Sequence, residues 1–294
     1  MKKIKVGIIG TGNIGTDILM KLKRSEYLEC GVFIGRDENS KGICLARKKG
    51  INTSSDSINY IVNNPDCCDI VFDATSASAH KIHAPILKKL GKFVIDLTPS
   101  KIGKMCVPVI NIDDCLNEQN INLITCGGQG TIPIAYAISR VAHDIDYIEI
   151  VATIASKSAG MGTRNNLDEF TQTTRDALQH FTGIKNSKAI IVLNPAEPPI
   201  TMHNTIYCVI KNPNMDKIKK EVYKMEKEIQ KYVPGYRIVM EPTYENGRIT
   251  TMIEVNGLGD YLPKYAGNLD IITCAALEIA DKRAKKMLAG EQDE

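Results

Sequence analysis

Cys126 heads the segment Cys126-Gly127-Gly128-Gln129-Gly130-Thr131-Ile132-Pro133. An apolar, strand-like run, Ile121 to Thr125, leads into it, and Pro133 to Ala142 reads as a helix with proline in its first turn. A thiol just ahead of a helix N-terminus feels the positive end of that helix, which favours thiolate. The glycines at 127, 128 and 130 would leave the thiol uncrowded and free backbone N–H groups for a developing oxyanion. Such an arrangement suits nucleophilic attack on a carbonyl. From spacing alone, a packed cysteine at a turn satisfies the pattern equally well. The remaining cysteines point elsewhere: Cys30, Cys208 and Cys274 fall in strand or helix patterns, and Cys67-Cys68 follows Pro65 in a polar turn. The chain has nine cysteines, with no CxxC pair and no zinc-ligand spacing, so they read as small buried hydrophobes of a reducing compartment.

Gly10-Thr11-Gly12-Asn13-Ile14-Gly15 is a complete GxGxxG between a strand-like run and a helical one. In this context Gly10 permits the tight turn, Gly12 lets a pyrophosphate approach the backbone, and Gly15 lets the helix pack on the strand. The helix N-terminus then offers N–H donors to the anion. Asp37 lies 22 residues beyond Gly15, close to the distance expected of a carboxylate that binds a ribose 2′-hydroxyl. Arg36 stands beside it and would accommodate a 2′-phosphate, so NAD is favoured and NADP stays open. A second polar loop, Ser156-Lys157-Ser158-Ala159-Gly160-Met161-Gly162-Thr163-Arg164-Asn165-Asn166, precedes a helix capped by Asn166 or Asp168. It suits an anion or a nicotinamide amide, and equally a simple capped connection.

The elements that must position these groups fall into two kinds. Up to about Gly130, short apolar runs alternate with helical stretches: Ile4 to Ile9, Leu28 to Ile34, Asp69 to Ala74, Phe93 to Leu97 and Ile121 to Thr125, with a helix from Asn13 to Arg24. This predicts a doubly wound parallel α/β sheet. Beyond it come longer strands, Tyr147 to Ile154, Ala189 to Leu193, Thr205 to Ile210 and Arg248 to Val255. Helices are expected at Asp168 to Phe181, Asp216 to Val233 and Leu269 to Leu288, which predicts a mixed sheet covered on one face. With 294 residues and 43% hydrophobic composition, two domains with sizeable cores are expected. A net charge of +3 with Lys and Glu intermixed argues against a nucleic-acid surface. No apolar run is long enough to span a bilayer and no signal-peptide pattern opens the chain, so a soluble, cytoplasmic protein is expected.

Taken together these segments resemble the acylating acetaldehyde dehydrogenase family of bacterial pathways for aromatic hydrocarbon catabolism. The resemblance extends over nearly the whole chain. It is carried by Gly10 to Asp17, Val71-Phe72-Asp73-Ala74-Thr75-Ser76, Asp96-Leu97-Thr98-Pro99, Thr125 to Gln129, Ser156 to Arg164, Leu193 to Pro199, Tyr261-Leu262-Pro263 and Ala266-Gly267-Asn268-Leu269-Asp270. It implies a Rossmann domain, 1–130 completed by the C-terminal helix in 265–294. A second α+β domain, 131–264, is implied to be catalytic and dimerising and to resemble that of glyceraldehyde-3-phosphate dehydrogenase. It also implies Cys126 as the acyl-thioester nucleophile, with NAD contacts at Thr11 to Ile14, in the loop Ser158 to Asn166, and at Asn268. Family members convert acetaldehyde, NAD and CoA to acetyl-CoA and NADH. They commonly pair with 4-hydroxy-2-oxovalerate aldolase, which implies a homodimer or a heterotetramer.

Two departures stand out. After the double proline the family reads Arg-Asp-Thr, its Asp being linked to cysteine activation; this chain has His203-Asn204-Thr205. Asn204 can hydrogen-bond but cannot accept a proton as a base, so either His203 takes over, a water serves, or activity is reduced. The stretch between Tyr236 and Tyr261 is also shorter, which bears on the aldolase interface. Two other readings compete. One is a phosphorylating semialdehyde dehydrogenase of the same architecture; the other is a non-catalytic NAD-binding subunit or redox sensor. His80, His83, His143 and His180 read as solvated or packed, with His80 and His83 nearest the expected cofactor crevice.

Overall fold

Strands that are buried on both faces need no polar alternation, and the N-terminal part of the chain is built from such runs. In the computed structural model, which describes residues 2–160, 163–164 and 167–290, the chain divides into two units. They are Met1–Leu123 with Thr273–Glu294, and Ile124–Ile272. Met161, Gly162, Asn165 and Asn166, expected to bind cofactor, lie outside the described residues.

The first unit carries β1 (Ile4–Ile9), α1 (Asn13–Lys21), β2 (Leu28–Ile34), α2 (Lys41–Lys48), β3 (Thr53–Ser54) and α3 (Ile58–Asn63). It continues with β4 (Ile70–Asp73), α4 (Ala77–Lys89), β5 (Phe93–Asp96), β6 (Lys104–Met105), α5 (Pro108–Cys115) and β7 (Asn120–Asn122). The sheet order is β3-β2-β1-β4-β5-β7-β6, and every neighbouring pair is parallel. This is the doubly wound arrangement expected from the alternating runs. β4 and β5 are buried along their whole length and each ends in a buried aspartate, Asp73 and Asp96.

One expected strand is cut short. The pattern of Ile121 to Thr125 predicts a single run, but β7 stops at Asn122. Ile124 then takes the left-handed conformation at φ 64°, and Thr125 caps the next helix. A β-branched residue in that region is a true outlier, and the apolar pattern gives no warning of it.

The second unit contains α6 (Cys126–Ser139), β8 (Ile145–Ala155), α7 (Leu167–Thr182), β9 (Ser187–Asn194) and β10 (Met202–Ile210). After these come α8 (Met215–Gln230), β11 (Tyr236–Glu245) and β12 (Arg248–Val255), and then α9 (Gly267–Gly290), inside which the division between units falls. The sheet order is β11-β12-β10-β8-β9, antiparallel except for the parallel β8–β9 pair. β10 alternates buried and part-exposed residues along its length, and α6 packs against β8, β10 and β12 with α7 and α8 beside it. The mixed sheet with one covered face is as the pattern predicts. The edge strand β11 escapes the sequence reading because Pro242 lies within it; its pairing with β12 shifts register on either side of Met240, and an edge tolerates both features.

Within the first unit, α1 is tied to the later part of α9 by a fully buried charge pair. Lys21 Nζ lies 2.5 Å from Asp17 Oδ2, and the Thr273 hydroxyl donates to the same oxygen at 2.6 Å. Removing one member of a buried pair leaves the other charge desolvated. Asp17→Asn is therefore expected to lower unfolding stability by about 3–5 kcal/mol in urea titration, whereas the apolar double change Asp17→Leu with Lys21→Met should recover much of that loss.

Candidate active site

α6 begins at Cys126 itself and not at Pro133, which corrects the expected helix start. The cause is the Thr125 side chain: its oxygen accepts the Gly128 N–H at 2.9 Å and so caps the helix seven residues earlier than the proline suggests. The direction of the next bonds follows from donor counting. Thr174 donates its only hydroxyl proton to the Phe170 carbonyl at 2.7 Å, so in the 2.7 Å contact between the two threonines Thr125 must be the donor. The N-terminus of α6 is thus fixed through Thr125, Thr174 and the backbone of α7.

The glycines around Cys126 do not open space, as expected; they close it. A Cβ on Gly127 would meet Phe170 Cζ at 2.9 Å, and one on Gly130 would meet Asn204 Nδ2 at 2.8 Å and Met202 Cε at 3.3 Å. Their lack of side chains lets α6 lie close to α7 and β10. Pro133 sits inside the helix, and the Tyr236 hydroxyl donates to the Gly130 carbonyl nearby at 2.8 Å. Thr174, Phe170 and Tyr236 therefore position the helix that begins at Cys126. Their sequence distance from Cys126 hides that role.

The thiol itself behaves differently from the expectation of a ready thiolate. Burial pushes Cys126 up to about 11, and the N–H groups of Gly127 and of Cys126 itself pull the other way without prevailing. The helix end is present, but desolvation outweighs it.

Residues 203 and 204 sit on opposite faces of β10 because strand side chains alternate. Asn204 faces α6, is fully buried, and neither its Nδ2 nor its Oδ1 has a hydrogen-bond partner. Gly130, which it touches, lies one helical turn from Cys126 on the same face of α6. His203 faces away. Its Nε2 lies 2.9 Å from Glu254 Oε2 and its Nδ1 lies 3.0 Å from the Thr201 carbonyl. Glu254 also accepts from Arg237 at 2.6 Å; burial opposes its charge, but Arg237, Asn256 and His203 hold it below the usual carboxylate range. The expectation that His203 takes over as base for Cys126 is corrected by this geometry.

In the glycine loop the turn at Gly10 and the close packing at Gly15 are as read from the sequence. Gly10 adopts φ 110°, and a Cβ there would strike Ala74. Space beside Gly12 is open, as a pyrophosphate requires, and a Cβ on Gly15 would run into the Gly10 carbonyl. Thr11 Oγ1 lies 3.1 Å from Ser40 Oγ, at the start of α2, while Asn13, Ile14 and Gly15 form the first turn of α1. Arg36 and Asp37 are exposed, and Asp37 accepts the Asn39 N–H at 2.9 Å. In the second loop Ser158 donates to the Ala155 carbonyl at 2.9 Å. Arg164 donates to the carbonyls of Ala159 and Ser156 at 3.1 and 2.7 Å, while Gly160 is exposed and open. Asn268 is buried in the first turn of α9 with its Oδ1 unpartnered, which fits an amide donor such as that of nicotinamide.

Known proteins resemble both parts of the chain. A family model described as the NAD binding domain of semialdehyde dehydrogenase matches residues 5–111, and one described as the dimerisation domain of prokaryotic acetaldehyde dehydrogenase matches 126–263. An acetaldehyde dehydrogenase of Geobacillus stearothermophilus is 53% identical, with 99% of both chains covered. That of Carboxydothermus hydrogenoformans is 54% identical, over 99% of this chain and 96% of its own. The chain belongs to the acetaldehyde dehydrogenase family. A crystal structure of aspartate semialdehyde dehydrogenase II from Vibrio cholerae, complexed with ASA, shares the fold at TM-score 0.65 and 12% identity, covering 95% of this chain and 97% of that one. In this acetaldehyde dehydrogenase family member Cys126 is the first residue of the matched dimerisation region, so the capped turn of α6 opens that domain.

Alkylation of Cys126 by iodoacetamide, followed by mass spectrometry of its peptide, is expected to accelerate through the alkaline range with a midpoint near 11 in the enzyme without ligands. A plateau reached by neutral pH would contradict the dominance of burial. Thr125→Ala should lower stability by about 1 kcal/mol through loss of the cap, read as a shift in the urea midpoint, and slow that alkylation.

Proposed function

We propose that this chain is the CoA-acylating kind of acetaldehyde dehydrogenase, converting acetaldehyde or a short aldehyde, with NAD and CoA, to acyl-CoA and NADH. The observation that carries this reading is Cys126 in the first turn of a capped, tightly packed helix, with N–H groups of Cys126 and Gly127 at its sulfur. Attack of the sulfur on the aldehyde carbon gives a hemithioacetal, and amides at the helix start are suited to hold its oxyanion. NAD, when bound, supplies the hydride acceptor that turns the hemithioacetal into a Cys126 thioester. The CoA thiol then attacks the thioester carbonyl and releases Cys126. We assign Thr11, Gly12, Asn13 and Ile14 to the pyrophosphate, and Ser158 to Arg164 and Asn268 to the nicotinamide end.

Cys126 rests as a thiol, so its proton must leave as attack begins. Asn204 cannot take that proton; its two unpartnered atoms face α6, and it is suited to orient a water that does. Homo-oligomerisation through the second unit is supported by the dimerisation model and by the part-exposed sheet face opposite α6, which carries Val151, Thr205, Tyr207 and Met252. Pairing with an aldolase, a role in aromatic hydrocarbon catabolism and a cytoplasmic location complete the proposal. For the location, no helix among the described residues is long and apolar enough to cross a membrane.

Absorbance of reduced cofactor should rise with acetaldehyde, NAD and CoA together, and Cys126→Ser should abolish the signal. A rise that requires phosphate in place of CoA would move the chain to the phosphorylating semialdehyde dehydrogenases. NAD binding without turnover would favour a binding subunit. Asn204→Asp, which places a carboxylate against α6, is expected to raise turnover by accepting the thiol proton during attack, while Cys126 alkylation moves to no lower pH because a neighbouring carboxylate opposes the thiolate; no gain in turnover would remove Asn204 from the activation step.

A further inference from the structure

A second buried polar cluster lies in the first unit, at the carboxyl ends of β4 and β5. Asp73 and Asp96 are register neighbours on these strands, and both are fully buried. Asp73 Oδ2 lies 2.8 Å from Nδ1 of His80 and 2.8 Å from Nδ1 of His83, both on α4. Its Oδ1 accepts the Thr75 N–H at 3.2 Å and also the Thr75 hydroxyl. Asp96 accepts from the Thr98 N–H at 2.8 Å, the Ser100 hydroxyl at 2.5 Å and the Asn122 amide at 2.8 Å. His80 Nε2 lies 3.6 Å from Asp96 Oδ2 and 2.9 Å from Asn120 Nδ2. One imidazole therefore stands between two carboxylates, and each carboxylate holds the loop that comes after its own strand.

The first of those loops is a wall of the glycine turn. A Cβ on Gly10 would meet the Ala74 carbonyl carbon at 2.7 Å and the Thr75 nitrogen at 3.3 Å. Ligands of open parallel sheets bind outside the carboxyl ends of the strands, where these loops lie. Burying two carboxylates and two imidazoles is costly unless all are paired, and apolar side chains would fill the same volume at lower cost. What the polar set adds is a fixed position for Thr75.

We propose that His80 and His83 are positioning residues for the dinucleotide: through Asp73 they fix the Thr75 loop against Gly10, and His80 couples that loop to the Thr98–Ser100 loop through Asp96. This rests on the reading of the glycine turn as an NAD site. The groups facing His80 are Asp73 of β4, Asp96 of β5 and Asn120 of β7, with His83 beside it on α4. Burial works against a charge on His80, but the Asp73 hydrogen bond and the charges of Asp96 and Asp73 raise it above its ordinary value. The charge that reinforces the brace is therefore fully present below the ordinary histidine range and is lost as pH rises through the raised value, leaving the neutral hydrogen bond to Asp73. In the neutral ring, Nε2 accepts the Asn120 amide N–H; in the charged ring it must donate, and Asn120 Oδ1, buried and unpartnered as now oriented, is the acceptor that a turn of the amide supplies.

The test is calorimetric titration of the full chain with NAD across the neutral and alkaline range, using wild type, His80→Gln, His83→Gln and Thr75→Ala. Wild-type Kd should be flat on the acid side and rise on the alkaline side. His83→Gln should raise Kd about tenfold, as loss of one charge-assisted hydrogen bond implies. His80→Gln should bind weakly at every pH and lose the alkaline step. Thr75→Ala leaves both histidine–carboxylate pairs in place, so it serves should a histidine variant fail to fold, and it too should weaken binding. Wild-type Kd and pH profile in folded His80→Gln and His83→Gln, or unchanged binding in Thr75→Ala, would overturn the positioning role. No NAD binding by folded wild type would instead overturn the dinucleotide reading on which the role rests.

Discussion

The Thr125 hydroxyl has one proton to donate and two lone pairs to accept with, and the first turn of α6 depends on how they are used. Its proton goes to Thr174, whose own proton is already committed to the Phe170 carbonyl, and this leaves the Thr125 oxygen facing the Gly128 N–H. Turn the Thr125 proton toward Gly128 instead and the cap is lost, because the amide then meets hydrogen where it needs a lone pair. The backbone must also turn sharply to bring Thr125 there, and Ile124 absorbs the turn in the left-handed region. Strain of this kind costs about 1–3 kcal/mol and persists where the surroundings over-determine it. Here they do: Ile124 is buried to 1% exposure, and the cap and the close packing at Gly127 hold the first turn of α6 directly after it.

That packing sets the terms of the chemistry. Bringing α6 close to α7 and β10 removes water from the thiol, and the resulting desolvation raises it to about 11. The same exclusion of water strengthens the amides at the helix start as oxyanion donors. As the proposed nucleophile, Cys126 is quiet at rest and gains most as charge moves from sulfur to carbonyl oxygen. It therefore needs a proton acceptor only at the moment of attack; a carboxylate close by would serve as that acceptor while opposing a resting thiolate. Asn204 in place of a carboxylate changes the path of that proton more than it changes the shape of the site.

What is legible in the sequence is what local geometry decides. β1 and β2 have the expected bounds, and Gly10 and Gly15 make the turn and the helix–strand contact that their spacing says, because both lie within six residues. The opposite orientation of His203 and Asn204 is legible too, since neighbours on a strand must point apart. The start of α6 is not. Proline in a first turn and threonine at a cap are both good helix starts, and Thr174, which decides between them, lies 49 residues beyond Thr125. The glycines near Cys126 mislead for the same reason: Phe170 and Asn204, which fill the space beside them, are remote in sequence. His80 and His83 share a helix face by their spacing, but only the fold reveals that Asp73 stands beneath both.

A common device runs through both units. Where a strand ends and a loop or helix begins, an oxygen at or just past the strand end is saturated with donors: Asp73 at the end of β4, Asp96 at the end of β5, Thr125 beyond β7. Sheet hydrogen bonds stop at these points, so the chain would otherwise be free to sample several paths. A side-chain acceptor that gathers the next N–H groups selects one path before any ligand arrives. Binding and reaction then require less ordering of the loops, which is the entropic benefit of preorganisation. The cost is paid in folding, where buried carboxylates and a strained isoleucine are tolerated because the hydrophobic sheet between them is secure.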